Sequence, residues 1–471
     1  MSKTGSTQGQ GVKAREDEAV IKLTQGQQLC LHGAFNVRVI EGCVLLNGSF
    51  RCTPQHGSLP IYAPYTAAAF TIVHDPYLDA TSSVVAFSDR RGLLPSPTLF
   101  RNPAELASTN FAFRPDHNPY GDPFRFHTLR ILNDTRAAAA LVTPPEWDDL
   151  ADELLRLRAG ARIVVCGDKG CGKSTLVRYL VNSLLSEHPA VAYLDCDPGQ
   201  PELGPPGMVT LSLVKGPLLG TPLTNMLSVG TPAVERVAGV YLGEVSPAPV
   251  VGYYLRGLKY LLKTMEKQVR RDVPLVVNTC GWVAHMGRDV QLEVIRMSVA
   301  DFVIQLLCDE RVVVEKSEMG EILYDVRDKR PKLRTLESMA KNGPPRGIML
   351  SSADARKEQL LAYFGDYECP ITAGKTWAVP FEDVAVGFVG QEVPPSQAFY
   401  ALNGTVVGLC WNEVPTRTVG TGTKREAAGK KLPTLLVGEP RPCNCLGLGI
   451  IKAIDVENGM FYIITPVDLV K

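Results

Sequence analysis

Nine consecutive residues, Gly167, Asp168, Lys169, Gly170, Cys171, Gly172, Lys173, Ser174 and Thr175, fit the phosphate-binding pattern G-x-x-x-x-G-K-[ST] and constrain this chain more than any other feature. The pattern works only between a strand and a helix. Ala161 to Cys166 is a short apolar run that reads as a buried strand, and Leu176, Val177, Leu180, Val181, Leu184 and Leu185 recur at helical spacing behind the loop. The glycines let the backbone turn tightly and aim its N–H groups at phosphate oxygens, while the positive end of the following helix adds attraction. Lys173 is placed to reach the outer phosphates, and Ser174 to ligate Mg²⁺. The expectation is binding of ATP or GTP.

At 471 residues the chain has room for roughly two to four domains. Its 49 basic and 49 acidic residues cancel, so no global field draws it to nucleic acid or membrane and any nucleic-acid contact must be local. Twelve cysteines are scattered along the chain and no secretory signal precedes them, a pattern expected of reduced thiols in cytosol or nucleus. Cys443 and Cys445 form the one tight pair, without a second pair or histidines at zinc spacing, and read as structural. No apolar run approaches the ~20 residues that span a bilayer.

Residues 1–18 read as a disordered tail. Residues 19–90, with glycine-punctuated apolar runs and alternation at Val37, Val39, Val44 and Leu46, read as an N-terminal β domain. A connection follows over 91–146, irregular and rich in Pro, Asn and Arg from 91 to 126. Residues 147–370 read as the nucleotide-binding domain. Its helix signals lie at 147–157, 252–269, 289–299 and 353–364, and apolar strands at 190–194, 275–278 and 302–306 alternate with helices. That alternation is the signature of a parallel sheet covered by helices. Charge dominates from Asp309 to Arg346, where a mobile or helical insertion is expected. Residues 371–471 return to β patterning around Val406, Leu435, Ile450 and Phe461 and read as a C-terminal, mainly β domain.

The second strand leads into Asp195, Cys196, Asp197, Pro198, Gly199 and Gln200. A carboxylate at the carboxyl end of a strand beside the phosphate loop is where such proteins serve Mg²⁺ or accept a proton. Asp195 and Asp197 could divide these tasks, with Asp195 the candidate beside Ser174 at the metal. Gln200 could hydrogen-bond the transferring phosphoryl or the nucleophile. The run Asp197 to Gln200 is also similar to a G-protein switch, but no Asn-Lys-x-Asp guanine reader follows a later strand. That strand ends instead in Asn278, Thr279, Cys280, Gly281 and Trp282.

With G-x-x-x-x-G-K-S, D-x-D-x-G-Q and T-x-G-W in order inside one α/β domain flanked by β domains, the chain resembles the polynucleotide 5′-hydroxyl kinase family over roughly residues 20 to 471. The resemblance is closest to the nucleolar pre-rRNA-processing branch, through Asp197 to Gly207, Leu402 to Cys410 and Cys445 to Ile450. It implies transfer of the ATP γ-phosphate to an RNA 5′-hydroxyl, with Mg²⁺, in the nucleus and nucleolus, beside an endoribonuclease whose cut leaves that hydroxyl. It also implies an N-terminal domain that helps hold adenine, and a clasp on the acceptor end made by Thr279, Gly281 and Trp282. A phosphate-covering lid is implied too, for which Arg356 is the candidate. The family's second lid arginine is missing here, and Lys357 follows instead. Catalytic roles are thus expected for Lys173, Asp195, Asp197, Gln200 and Arg356. An ATP-bound scaffold without catalysis, the related pre-mRNA and tRNA branch, and a GTPase switch are the alternatives. The basic stretches Lys329 to Arg334 and Lys424 to Lys431 could track RNA phosphates.

Overall fold

In the computed structural model the described residues are 18–63, 68–76, 81–89, 130–132, 141, 143–227, 229–308, 313, 331–339, 351–364, 375–411, 433–436 and 438–469. The expected tail, the connection over 91–126, most of the charged stretch 309–346 and the basic run 424–431 lie outside them. The chain divides into two compact units.

The first unit is antiparallel β structure. Strands β1 (Glu18–Thr24), β2 (Gln28–Glu41), β3 (Val44–Leu46), β4 (Phe50–Cys52), β5 (Ser58–Ala63), β6 (Phe70–His74), β7 (Ser82–Asp89) and β8 (Arg130–Leu132) form one sheet. Its main order is β1-β7-β2-β6-β3-β4, with β5 and β8 also paired to β2. Inward residues alternate along β2, so that Phe35, Val37 and Val39 are buried, as a period of two requires when one face is covered.

The second unit begins with α1 (Pro145–Leu155) and is built on β9 (Arg162–Gly167), α2 (Lys173–Leu184), β10 (Val191–Asp195), β11 (Met208–Val214), α3 (Pro222–Leu227), β12 (Val234–Tyr241), α4 (Val251–Gln268), β13 (Leu275–Asn278), α5 (Met286–Ser298), β14 (Phe302–Leu307), β15 (Lys332–Glu337) and α6 (Ser352–Phe364). The sheet order is β12-β11-β10-β13-β9-β14-β15. The strands from β10 to β15 run parallel, and β10, β13, β9 and β14 are buried on both faces, which explains their continuous apolar runs. The expectation of a parallel sheet holds for these five; β11 and β12 extend it antiparallel, so the sheet is mixed. A second correction concerns the charged stretch before α6, where a helical or mobile insertion is expected. Its described part is β15, and Lys332 there is ion-paired with Glu153 of α1, so one basic residue of that run faces a carboxylate rather than a phosphate.

The same unit continues through β16 (Thr376–Pro380), β17 (Ala385–Val386), α7 (Ala398–Leu402), β18 (Val406–Trp411), β19 (Thr434–Leu435), β20 (Asn444–Asp455) and β21 (Met460–Ile464). Strands β16, β21, β20 and β18 form an antiparallel sheet over a core in which the rings of Phe381, Phe399 and Phe461 meet. This sheet covers β12, the edge of the central sheet. Gly239 N donates to Asn444 Oδ1 at 3.1 Å, Tyr241 Oη donates to the Val406 carbonyl at 3.0 Å, and a Cβ on Gly408 would lie 2.6 Å from the Tyr241 ring. Cys445 pairs in register with Cys410 of β18 and is buried, consistent with a structural Cys443-x-Cys445 pair. Among the described residues no helix is long and apolar enough to cross a membrane.

Candidate functional site

The phosphate loop leaves β9 through Gly167, whose φ is +145° and whose hypothetical Cβ would stand 2.5 Å from the Leu306 carbonyl oxygen. Only glycine fits there. Gly172, at φ +93°, is the left-handed residue that turns the chain into α2, a conformation costing an ordinary L-residue about 1–2 kcal/mol. The first turn of α2 therefore presents unpaired N–H groups to the loop's concavity. Lys173 is 6% exposed and folds back, its Nζ donating to the Asp168 carbonyl at 2.7 Å. An incoming phosphate offers a stronger, charged acceptor for the same ammonium. Asp168 Oδ1 accepts from the Lys169 N–H at 2.6 Å, and the Ser338 hydroxyl donates to the Cys171 carbonyl at 2.8 Å, so both ends of the loop are tethered. Burial pushes the Cys166 thiol up to about 12 and raises that of Cys171. Both are packing residues at neutral pH.

Asp195 closes β10 with no exposed surface. Its Oδ2 accepts from the Glu202 N–H at 2.6 Å, and its Oδ1 from Asn278 Nδ2 at 3.2 Å and from the Asp197 N–H at 3.3 Å. The β10–β13 register sets Asp195 opposite Asn278, and the same Asn278 Nδ2 lies 3.3 Å from Ser174 Oγ. One amide thus spans the phosphate-loop hydroxyl and the buried carboxylate. Burial raises the Asp195 carboxyl to about 8, the Glu202 N–H works against that shift, and the charges of Asp197 and Glu202 add to it. Hard oxygen donors from Ser174 and Asp195 suit Mg²⁺, which keeps waters and phosphate oxygens for its remaining positions. Asn278 Oδ1 is buried without a hydrogen-bond partner, an acceptor suited to a metal-bound water. These residues fit the ion.

Asp197 is half-buried, and its Oδ1 accepts from the N–H groups of Gly199 (2.8 Å) and Gln200 (3.3 Å), so the carboxylate shapes its own turn. Gln200 is exposed. Four side chains pin the rest of the loop. Arg178 of α2 and Asn225 of α3 hold the fully buried Glu202, Arg236 of β12 donates to the Leu203 carbonyl, and Gln359 of α6 donates to the Pro201 carbonyl at 3.0 Å. Asn278, Glu202, Arg236 and Gln359 belong to the site's framework without matching any part of the three motifs. Asn278 alone carried a sequence signal, as the polar end of an apolar strand.

The turn after β13 lies across the phosphate loop. A Cβ on Gly281 would stand 2.7 Å from Lys169 Cα and 2.9 Å from Lys169 N, so backbone meets backbone and glycine is required. Thr279 is buried, and its hydroxyl donates to Gln291 Oε1 at 3.0 Å, while Gln291 Nε2 donates to the carbonyls of Cys280 and Trp282. The Thr279 hydroxyl therefore anchors the turn to α5. Trp282 is half-buried, packed on Gly287 at the start of α5. Arg356 is half-exposed on α6, three residues before Gln359 and on the same helical face as that tether. Lys357 is exposed. The site therefore gathers the phosphate loop, the Asp195 network, the Asp197 turn and the Gly281 strap along the carboxyl ends of parallel strands, where α/β sheets bind ligands.

Two family models match the chain: the P-loop of the mRNA cleavage and polyadenylation factor CLP1 over residues 167–365, and a NOL9-like C-terminal domain over 372–471. The chain is 22% identical to the polynucleotide 5′-hydroxyl-kinase nol9 of Dictyostelium discoideum, covering 96% of this chain and 78% of that protein. It is 25% identical to the polynucleotide 5′-hydroxyl-kinase grc3 of Schizosaccharomyces pombe, covering 96% and 69%. Against the polynucleotide 5′-hydroxyl-kinase NOL9 of Danio rerio it is 29% identical over 70% of this chain, and it spans 48%, about half, of that longer relative. Among solved structures the wild-type Clp1p–Pcf11p complex contains a chain with the same fold, at 13% identity and a TM-score of 0.56 over 97% of this chain and 96% of that one.

Proposed function

We propose that this chain, similar over most of its length to polynucleotide 5′-hydroxyl-kinases, is a member of that family and transfers the ATP γ-phosphoryl group to the 5′-hydroxyl of an RNA end. The observation that carries the reading is the strap at Gly281, whose backbone rests on Lys169 of the phosphate loop. An acceptor-side element so close to the outer phosphates suits transfer to a polynucleotide end better than simple hydrolysis.

Lys173 leaves the Asp168 carbonyl to hold the outer phosphates. Ser174 and Asp195 would hold Mg²⁺, which would supply positive charge to the transferring group. Asp197 accepts the proton of the attacking hydroxyl as its oxygen bonds to the γ-phosphorus and the bond to the bridging oxygen breaks, the electron pair leaving with ADP. Gln200 hydrogen-bonds the nucleophile or the transferring phosphoryl, Arg356 covers the phosphates, and the exposed part of Trp282 meets the terminal base or ribose. Positioning and charge neutralisation supply most of the acceleration, because phosphoryl transfer needs little covalent help. We place the activity in pre-rRNA processing in the nucleolus, downstream of an endoribonuclease that leaves 5′-hydroxyl ends.

Transfer of label from γ-labelled ATP to a 5′-hydroxyl RNA oligonucleotide tests the proposal, with 5′-phosphorylated RNA as control and GTP as competitor. Label on the hydroxyl end alone is expected. Trp282→Ala should weaken oligonucleotide use by about 1–3 kcal/mol and leave ATP binding nearly unchanged. ATP binding without any labelled RNA would make the chain a nucleotide-bound scaffold.

A further inference from the structure

We propose that the cleft between the loop after β12 and the segment following β17 receives a nucleobase of the acceptor strand, one belonging to the nucleotides just behind the 5′ end. The proposal rests on the RNA-kinase reading above and adds to it a place where the strand is read beyond its reacting hydroxyl.

Position comes first. Because β11 and β12 run antiparallel to their neighbours, Asp195 pairs with Thr210 and Met208 with Tyr241. The end of β12 therefore lies on the same rim as the end of β10, two strands away, or about 10 Å at the usual strand spacing. The loop that follows turns back toward the site. A Cβ on Gly199 would stand 2.8 Å from the Val245 carbonyl oxygen, so this loop rests directly on the turn that Asp197 organises. Val245 itself is 46% exposed, leaving an apolar side chain on the path from that turn to the cleft. A strand with its first hydroxyl at Asp197 must pass its next nucleotides along some part of this rim.

The cleft measures about 350 Å³, at the small end of the range for ligand sites. Its walls come from Glu244 and Val250 on one side and from Phe388, Gly390 and Gln391 on the other. Gly390, at φ +80°, lets the second wall close on the first, for a Cβ there would come within 2.7 Å of the Val250 side chain. Phe388 is half-buried, one part of its ring packed on the aromatic core of the C-terminal sheet. The remaining surface is the flat, apolar platform on which a base of any identity can stack. Among the described residues lining the cleft there is one carboxylate and no basic side chain. A phosphodiester is disfavoured there and a neutral base is favoured. Glu244 can accept from an exocyclic amino or ring N–H group, and Gln391 can both donate and accept.

The test uses the full chain and 5′-hydroxyl oligoribonucleotides of one length carrying a single abasic nucleotide at successive positions from the 5′ end. KM and kcat for label transfer are measured, and binding is followed separately by fluorescence anisotropy in the presence of a non-transferable ATP analogue. One abasic position near the end should raise KM and the dissociation constant by about 5- to 150-fold, the equivalent of one lost stacking contact, with kcat little changed. Phe388→Ala should produce the same loss on unmodified RNA and should no longer sense the abasic position. Since Phe388 also touches the core, Glu244→Gln and Gln391→Ala, both at exposed positions, serve as the second readout and should alter which base is preferred at that nucleotide. Binding indifferent to every abasic position, or unaffected by all three variants, overturns the proposal and leaves the cleft to another partner such as a peptide. Abasic-sensitive binding without label transfer would keep the cleft and remove the kinase reading.

Discussion

Replacing Asp195 by Asn should stabilise the ligand-free protein while disabling it. The wild-type carboxyl titrates near 8 because it is wholly buried, against 3.8 for the free group. A raised acid binds more protons folded than unfolded, so its contribution to stability is fully present below pH 4 and falls as pH climbs from about 4 to about 8. Over the roughly three units up to pH 7, at about 1.4 kcal/mol per unit, the penalty is on the order of 4 kcal/mol. The asparagine removes the charge and gives up the longer bond from the Asp197 N–H, at 3.3 Å. Its oxygen can keep the Glu202 N–H, now at 2.6 Å, and its Nδ2 can donate to Asn278 Oδ1 after an amide rotation. Thermal unfolding without nucleotide, followed from pH 5 to 8, should fall for the wild type and fall less steeply for Asp195→Asn, in which the raised carboxyls of Glu202 and Glu358 still titrate, the variant melting several degrees higher at pH 8. Mg²⁺-ATP should stabilise the wild type, by about 2.7 kcal/mol at a hundredfold excess over its dissociation constant, and the variant far less. An asparagine variant as pH-sensitive as the wild type, or less stable than it at pH 8, would refute the claim that burial of the Asp195 charge costs the ligand-free fold.

Two further substitutions test the phosphate side. Lys173→Ala should lower turnover a hundredfold or more, about 3 kcal/mol, with an unchanged circular-dichroism spectrum, because Nζ donates to the Asp168 carbonyl and is aimed within the loop; near wild-type kinetics would remove the lysine from the mechanism. Gly281→Ala would force its methyl into the Lys169 backbone, 2.7 Å away, and overpacking of this kind displaces neighbours at about 1–3 kcal/mol. Its kcat should fall at least tenfold while the melting temperature drops only a few degrees, and equal activity would show that strap and loop separate freely.

What could be read from the sequence follows from where information is local. The phosphate loop announces itself because strand, glycine turn and helix are contiguous, and Asp195 and Asp197 because a strand end and its turn adjoin. The parallel strands are legible as apolar runs. Strands β11 and β12 carry polar residues inside, Thr210 and Ser212 among them, and their direction is set by pairing that no local pattern encodes. Strand β15 is written in charges, since Lys332 and Arg334 alternate with apolar neighbours, so its place beside β14 is fixed by register rather than by hydrophobicity. The amide bridge from Ser174 to Asp195 joins residues 104 and 83 positions from Asn278. The hydrogen bond that ties the Thr279 hydroxyl to Gln291, twelve residues on in α5, is likewise set by packing that the strand-end pattern does not encode.

The cover that the C-terminal sheet lays over β12 bears on how this protein can be cut. Strand β12 ends the central sheet, and a bare edge presents unpaired N–H and C=O groups that recruit other chains. Here Asn444 takes the Gly239 N–H and the Cys445 carbonyl lies 3.2 Å from where a Gly239 Cβ would be. The same joint holds Arg236, whose buried guanidinium reaches the Leu203 carbonyl beside the Asp197 turn. A fragment ending after α6 would retain every motif residue yet expose a sticky strand and hydrate the arginine that braces the Asp195 loop. Such a piece should aggregate on expression and turn over poorly if rescued in soluble form, so the kinase module and its terminal β sheet behave as a single heritable part.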